Sequence, residues 1–402
     1  MGVEGRIARE VVSLARARLG VEAVTTSLRA PGTARPALVP EPSASATGAL
    51  PVAPSDPASI GTADTTHAMN AAGGDAAAAS GPPSGVLQAL GGHGAAAVVH
   101  VALSTDLGLD LRLDTPKRRA GLLELTRAAF AATAPGGLLV AVTSARVYGA
   151  HPDNPVPLPP DATLRAQDDE GLVGDLLAVE AEISRLRAQR PDVRVTILRP
   201  AALVGPGVDT TITRHFETPR LLVLGGSEPM WQFVHVEDVA SALLTLLLAQ
   251  EDLAAPSAPE QADPVPPARD RCVDGGWVVT VGAPGALTQV RIEEITGKRR
   301  LVLPAVTALG AARRLQAAGV LSTSGADLDY VRHPWVVGSS DLDALGWAPR
   351  FDNEACVQVM IEQIRRNRSL AALRRDAAVG TASAGVALVG TAALLRRRRR
   401  RF

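Results

Sequence analysis

The 402-residue chain is poor in aromatic residues and cysteine. Phe, Trp and Tyr make up 3% of it, so its core must be built from Ala, Val and Leu, and a hydrophobic content of 46% supports a sizeable core. The two cysteines, Cys272 and Cys356, form neither a metal-ligand pattern nor a disulfide framework, which fits a reduced, cytoplasmic setting. The seven histidines form no array with metal-ligand spacing, so no metal site is expected.

Net charge is also lacking, because 41 Lys and Arg residues balance 41 Asp and Glu residues. The chain therefore has no net field to attract nucleic acid, and it carries no zinc-finger or RNA-binding motif. We expect no nucleic-acid partner. The segment Met1–Gly20 is amphipathic and carries Arg and Glu, so no secretory signal peptide is expected there.

Apolar runs and helical spacing alternate along much of the sequence. They predict strands at Ala95–Leu103, Gly137–Ser144 and Val193–Arg199, and helices at Pro116–Ala132, Leu172–Arg187 and Val236–Leu248. The strands are apolar throughout, as central parallel strands are. This alternation predicts an α/β fold with a doubly wound parallel sheet, whose ligands bind at the carboxyl ends of the strands.

Two segments have the composition of insertions. Leu28–Pro83 is rich in Ala, Pro, Gly, Ser and Thr and has too little apolar surface to offset its ordering entropy, which predicts disorder. Glu251–Arg271 is rich in Pro and Ala, which is typical of a linker. Beyond the linker, Trp277–Val281, a helix near Thr288–Thr296 and Leu301–Pro304 are expected to form a small C-terminal lobe.

Four short motifs resemble one family in their order and spacing. They are VTSARVYG at Val142–Gly149, LRPAALVGP at Leu198–Pro206, WQFVHVEDVA at Trp231–Ala240 and LGWAPRF at Leu345–Phe351. Over roughly Ala95–Ile361 the chain resembles the extended short-chain dehydrogenases/reductases, the Rossmann-fold sugar epimerases, dehydratases and reductases. The resemblance implies NAD or NADP as cofactor, a nucleotide or sugar-nucleotide ligand, and an assembly that could be a homodimer.

The resemblance also implies a domain arrangement. A Rossmann-like NAD(P)-binding domain would span residues 1–250, with the low-complexity insertion at 28–83. The linker at 251–271 would lead to a small substrate lobe at 272–365, followed by a hydrophobic, Arg-rich tail at 366–402.

A phosphate-binding loop is expected at the start of the chain. Gly2, Gly5 and Ala8 form G-x-x-G-x-x-A at the opening of a predicted helix, Gly2–Leu19, which the predicted strand Val21–Ser27 follows. A pyrophosphate would bind at that helix N-terminus. The strand that should precede Gly2 is missing, so either the start is assigned too far downstream or the protein has lost this strand.

Other residues complete the expected cofactor and substrate positions. Arg29 stands where an acidic residue normally holds the ribose hydroxyls; it would accept the 2′-phosphate of NADP or is simply a surface residue. The resemblance adds Ala102 and Pro200 to the cofactor site. It places Tyr148, Arg199 and Gly205 around a substrate cleft.

The catalytic group is incomplete. The family uses a Ser or Thr, a Tyr that acts as general acid/base, and a Lys four residues after that Tyr. Ser144, four residues before Tyr148, occupies the Ser position, but the helix Leu172–Arg187 contains neither Tyr nor Lys. Matching the Glu-rich end of the helix places Gly174 and Ala178 there instead. The whole chain holds two tyrosines and two lysines, and no Tyr–Lys pair is four apart.

Two hypotheses follow. In the first, the chain is a degenerate family member that binds a nucleotide or sugar-nucleotide without hydride transfer. In the second, it is an active NAD(P)-dependent epimerase, dehydratase or reductase with an atypical base, for which Asp168, Asp169 and Asp175 are candidates. A scaffold without a ligand is a third option. His100 and Asp238 are interpreted as structural.

The end of the chain carries an apolar segment. Ala377–Leu395 is 19 residues without a charge, and Arg396–Arg401 follow it. A segment of this length and composition has three interpretations. It is a hydrophobic C-terminal helix that spans a bilayer, a helix that lies on an anionic membrane surface, or a disordered tail. The positive-inside rule opposes a span. We expect a cytoplasmic protein with membrane association through this tail.

Overall fold

The computed structural model describes residues 94–166 except 111 and 113, residues 171–254, 272–273, 276–304 and 325–369, and three residues near the start, Ile7, Glu10 and Val11. Several predictions lie outside these residues: the insertion at 28–83, the tail segment Ala377–Leu395, and the cofactor residues Gly2, Gly5, Ala8 and Arg29. The candidate bases Asp168 and Asp169 also lie outside them. Within the described residues, no helix is both long and apolar enough to cross a membrane.

Strands and helices alternate as expected. The strands are β1 Ala95–Val101, β2 Thr133–Val142, β3 Arg194–Pro200, β4 Ala202–Val204, β5 Leu221–Leu224, β6 Met230–Trp231, β7 Phe233–His235, β8 Cys272–Val273, β9 Gly276–Val281, β10 Leu287–Thr288 and β11 Arg300–Leu303. The helices are α1 Leu107–Asp110, α2 Thr115–Ala132, α3 Leu172–Gln189, α4 Thr211–Glu217, α5 Val236–Ala254, α6 Gln289–Thr296, α7 Ser340–Asp343 and α8, residues 353–369. Two 3₁₀ helices span Ala145–Tyr148 and Gly325–Val331.

The central sheet has the order β1-β2-β3-β9-β8, and all its pairs are parallel except β8 with β9. This confirms the predicted α/β fold with a Rossmann-like parallel sheet. One assignment changes. Trp277–Val281 was expected in the C-terminal lobe, but β9 pairs with β3 from Thr196 to Pro200 and lies in the central sheet. A largely apolar strand such as this is stabilised by burial on both faces, as in a central parallel sheet.

The strand β2 shows why the sheet is covered on both faces. Its side chains alternate between two cores, because successive residues of a strand point to opposite faces. Leu138, Val140 and Val142 join the larger core with α5, and the same core contains Ile7 and Val11. Leu139 and Ala141 join a second core with α2 and α3. The continuous apolar run GGLLVAV therefore fills two layers at once.

Polar contacts join the C-terminal segments to the end of β7 and the start of α5. The buried carboxylate of Asp238 accepts hydrogen bonds from the backbone N–H groups of Arg350 and Phe351 at 2.8 and 3.1 Å. The indole of Trp347 donates to Ser241 Oγ at 2.8 Å. The motifs WQFVHVEDVA and LGWAPRF therefore contact each other through Asp238. This contact agrees with the interpretation of Asp238 as a structural residue.

We expect Asp238→Ala to lower the free energy of unfolding by about 3 kcal/mol, because two buried N–H groups lose a charged acceptor. Chemical denaturation of the full chain measures this loss. Glu237→Ala is the matched control, since Glu237 makes only a surface ion pair with the same Arg350. Equal effects of the two substitutions would contradict a special role for the Asp238 contact.

Candidate active site

The carboxyl ends of β1, β2 and β3 meet at one edge of the sheet. The backbone N–H groups of Ala102 and Leu103 donate to Val142 O at 3.0 and 3.1 Å, and Thr143 N donates to Leu198 O at 2.9 Å. Ala102 and Pro200, both predicted in the cofactor site, lie at this edge and are buried. Ser144 follows the end of β2 at the same edge, so the structure brings the predicted residues of the edge together.

Ser144 begins the 3₁₀ helix Ala145–Tyr148. Its backbone is extended, and its Oγ accepts a hydrogen bond from Arg146 N at 3.2 Å, which caps the short helix. Gly149 ends the helix at φ +76°, a conformation that favours glycine. The motif TSARVYG is therefore a compact turn that fixes Ser144 in a buried position, 3% exposed.

The chain has two tyrosines, and both hydroxyls bind backbone carbonyls, that of Tyr330 two residues after Ser144. Tyr148 OH donates to Pro160 O at 2.7 Å, and Tyr330 OH donates to Arg146 O at 2.6 Å. Burial raises the pKa of Tyr148, which keeps this phenol protonated. Tyr330 reaches the site from the C-terminal 3₁₀ helix. Sequence reasoning missed it, because it belongs to none of the four motifs.

A buried ion pair lies next to Thr143, the residue before Ser144. Arg199 binds Glu180 through two contacts, Nε to Oε1 at 3.1 Å and Nη2 to Oε2 at 2.7 Å, and each side chain is 5% exposed. Thr143 Oγ1 donates to Glu180 Oε1 at 2.7 Å. Arg199 Nη1 also donates to Pro160 O at 3.3 Å, the carbonyl that Tyr148 binds. Arg199, predicted to line a substrate cleft, is buried, and its guanidinium binds Glu180 and Pro160 O.

The helix α3 supplies aliphatic residues toward this edge. Glu180 meets Thr143, so the residues four and eight positions earlier, Leu176 and Leu172, lie on the same face of the helix. The alignment by the Glu-rich end of the helix places Gly174 and Ala178 at the positions of the family's Tyr and Lys, and neither residue has a group that can transfer a proton. Leu172 and Leu176 have none either.

Asp175, the candidate base that the structure describes, is engaged by two arginines. Its carboxylate is 1% exposed and contacts Arg118 Nε at 2.5 Å and Arg119 Nε at 2.9 Å. Both arginines come from the first turns of α2, so the contact holds α2 against the start of α3. This geometry favours a structural role for Asp175 over proton transfer.

Gly205 and His100 are also explained by packing. Gly205 has φ +145°, and a Cβ atom there would lie 2.7 Å from Val236 Cγ2, so only glycine fits beside the start of α5. Although predicted in the substrate cleft, Gly205 thus also has a structural reason to be glycine. His100 is a core histidine, as interpreted from the sequence, with Nε2 3.1 Å from Thr126 Oγ1.

The structure describes part of the expected cofactor site. Ala102 and Pro200 lie at the carboxyl edge of the sheet, where ligands bind in folds of this kind. The residues expected to hold the diphosphate lie outside the described part of the chain. In the described part, no group of three or more His, Cys, Asp or Glu residues could hold a metal ion.

Part of the chain matches a known family model. Residues 83–258 match the model of the NAD dependent epimerase/dehydratase family. That family is NAD dependent by its description, which agrees with NAD or NADP as the expected cofactor. Uncharacterised proteins from Mycobacterium tuberculosis and Mycobacterium bovis are 34% identical over 105 residues, 26% of this chain. The match spans 28% of the length of these curated relatives.

Solved structures with a similar fold are more distant. UDP-glucose 4-epimerase from Thermotoga maritima with UDP-glucose is 16% identical, over 71% of this chain and 82% of that chain, with a TM-score of 0.46. UDP-glucuronic acid 4-epimerase from Bacillus cereus in complex with NAD is 13% identical, over 70% and 77%, with a TM-score of 0.45. RMD from Pseudomonas aeruginosa complexed with NADPH is 18% identical, over 67% and 80%, with a TM-score of 0.43. Scores at this level do not decide an activity for the chain.

Proposed function

We propose that the chain, whose residues 83–258 match the model of the NAD dependent epimerase/dehydratase family, binds NAD or NADP and a nucleotide or sugar-nucleotide without that family's conventional hydride transfer. The proposal rests on two features. The carboxyl edge of the sheet is formed as a ligand site requires, and the Tyr and Lys that would transfer a proton are absent from α3. Such a protein would use the ligand site for recognition.

One observation carries this proposal: α3, the helix on which the family is expected to carry its Tyr and Lys, contains neither residue. A general acid/base must reach the reacting group within hydrogen-bond distance, directly or through one water. Two acids of α3 that the structure describes are already engaged, Glu180 by Arg199 and Thr143, and Asp175 by Arg118 and Arg119.

The alternative is an active epimerase, dehydratase or reductase with an atypical acid/base. The position of Tyr330 favours this alternative, because its hydroxyl binds the backbone two residues after Ser144. The phenol of Tyr330 would then take the role of the Tyr that the family carries on the helix corresponding to α3. The hydrogen bond to Arg146 O would have to open before this phenol could serve a substrate.

We expect the full-length chain to bind NAD or NADP in calorimetry and to show no appreciable turnover of UDP-glucose or UDP-galactose. Loss of general acid/base catalysis typically lowers a rate by ~10²–10⁴-fold. Reduced-nicotinamide absorbance and NMR analysis of the sugar isomers measure oxidation and epimerisation separately. An epimerase with an intact Tyr–Lys pair serves as the positive control.

The variants Ser144→Ala, Asp175→Asn and Tyr330→Phe separate the hypotheses. Robust turnover that survives Ser144→Ala and falls with Asp175→Asn would overturn the proposal and reveal a substitute base. Turnover lost in both Ser144→Ala and Tyr330→Phe would support the alternative enzyme. Absence of any binding to dinucleotides and sugar-nucleotides would favour a scaffold without a ligand.

A further inference from the structure

Two segments that leave the carboxyl edge of the sheet are joined to each other. Residues 105–108 follow β1, and Asp209 follows β3 and the short strand β4. Asp209 N donates to Thr105 O at 2.9 Å, and Leu107 N donates to Asp209 O at 2.9 Å. These bonds form a parallel bridge between Asp106 and Asp209. The two segments therefore pair as neighbouring strands do, although they lie outside the central sheet.

The side chain of Asp209 reinforces this bridge. Its Oδ2 accepts a hydrogen bond from Gly108 N at 3.2 Å. Arg214 binds the same carboxylate through two contacts, Nε to Oδ1 at 2.7 Å and Nη2 to Oδ2 at 2.6 Å. Bidentate contacts between an arginine and a carboxylate are stronger than neutral hydrogen bonds. We call residues 105–108 and 209–214, joined by these contacts, the Asp209 clasp.

The clasp crosses the carboxyl edge in front of β2. In the sheet order, β2 lies between β1 and β3, so a contact between the segments that follow β1 and β3 spans the end of β2. Ser144 follows that end, and Arg146 Nη1 donates to Thr211 Oγ1 of the clasp at 3.3 Å. Ser144 is 3% exposed and Ala102 is 5% exposed. The predicted ligand residues at this edge are therefore buried next to the clasp.

We propose that the Asp209 clasp is a gate over the candidate ligand site, and that a ligand reaches Ser144 only after the clasp opens. The side chains of the clasp are partly exposed, Arg214 by 40% and Asp209 by 34%. Water and salt compete for such groups, so the closed form is favoured only modestly. Loops of this kind open without global unfolding. The inference rests on the proposed function only for the ligand, a dinucleotide or sugar-nucleotide.

The test measures access to position 144 in the full chain and needs no ligand. In a Cys272→Ser background, Ser144→Cys introduces a thiol beneath the clasp. Its rate of reaction with a small thiol reagent reports how often the clasp opens. Cys356 is a buried free cysteine and serves as an internal reporter, because it reacts only when the core unfolds. Thermal unfolding verifies that each variant is folded.

Two substitutions weaken the clasp to different degrees. Asp209→Asn keeps an oxygen for Gly108 N but loses the ion pair, and Asp209→Ala loses both. We expect labelling at position 144 to accelerate about threefold and about tenfold, respectively, because hydrogen bonds that oppose opening are lost. High salt should accelerate labelling with Asp209 present and have little effect after Asp209→Asn, since no charge is left to screen. Asp153→Asn is the matched control, because it breaks the exposed pair with Arg165 elsewhere, and it should leave the rate unchanged.

Binding of NADH to the chain with Ser144 intact completes the test. Stopped-flow fluorescence should show faster association after Asp209→Asn, by the same factor as the labelling rate. Unchanged labelling in both Asp209 variants would overturn the gate, and so would faster labelling with unchanged NADH association. Equal acceleration at Cys356 would also overturn it, because the opening would then be global unfolding. Faster labelling at position 144 alone, with no NADH binding to any variant, would support the gate and contradict the proposed dinucleotide binding instead.

Discussion

Replacing Glu180 by alanine should lower the free energy of unfolding by about 3–5 kcal/mol, because removal of one partner leaves Arg199 charged and buried. Arg199 and Glu180 are each 5% exposed, so water cannot take the place of the missing carboxylate without opening the structure. Thr143 Oγ1 would lose its acceptor at the same time. Urea denaturation of the purified chain measures the loss.

Two further variants test the physical cause. Glu354→Ala breaks the solvent-exposed pair with Arg291 and should change stability little, because solvent screens that pair. Replacing both buried partners, Glu180→Leu with Arg199→Met, should restore much of the stability, because no charge is then left buried. A small effect of Glu180→Ala would show that the pair is hydrated in solution.

Acid should destabilise the protein between pH 6.5 and pH 4 through two buried histidines. Burial lowers the pKa of His100 to about 4, and burial with the nearby Lys298 lowers the pKa of His215 to about 4. In this window the unfolded chain binds protons at these positions and the folded chain does not. Stability is therefore complete above pH 6.5 and falls as the pH drops, by about 3 kcal/mol for each histidine.

The measurement is the unfolding free energy of variants at several pH values. His100→Gln keeps a hydrogen-bonding group near Thr126, and His215→Phe keeps the ring contacts with Phe216 and Trp231. The two histidines together account for a loss of unfolding free energy between pH 6.5 and pH 4. Each single variant should remove about half of that loss. His151→Gln, on the more exposed loop after β2, is the control. Unchanged pH profiles in both core variants would show that these histidines titrate normally.

Strand and helix assignments from sequence succeeded where apolar periodicity decides the structure. The run GGLLVAV and the helix beginning at Leu172 were both located, because burial on two faces or along one stripe leaves a readable pattern. The sequence predicted the strand β9 but assigned it to the C-terminal lobe, whereas it pairs with β3 in the central sheet. The sequence of a short apolar strand does not indicate which strand it pairs with, because that pairing depends on the topology of the whole sheet.

Only part of the candidate site could be predicted from the sequence. Ser144 and the absence of the Tyr–Lys pair follow from local motifs, so they could be read directly. The contact between Arg199 and Glu180 joins positions 19 apart, and Tyr330 reaches Arg146 across 184 residues. Neither contact leaves a pattern in the neighbouring sequence, and both bury side chains around the candidate site.

The contacts between β7, α5 and the C-terminal segments also govern when the chain can finish folding. Gln232 binds Val337, Asp238 binds Arg350, and Phe233 N binds Asn353, across 105, 112 and 120 residues. During synthesis the central strands emerge long before these partners, and closing such loops costs entropy before any contact forms. The nascent chain must therefore carry an unfinished β7–α5 surface until residue 353 has left the ribosome. In that interval the exposed apolar side chains there are open to misassembly with other chains.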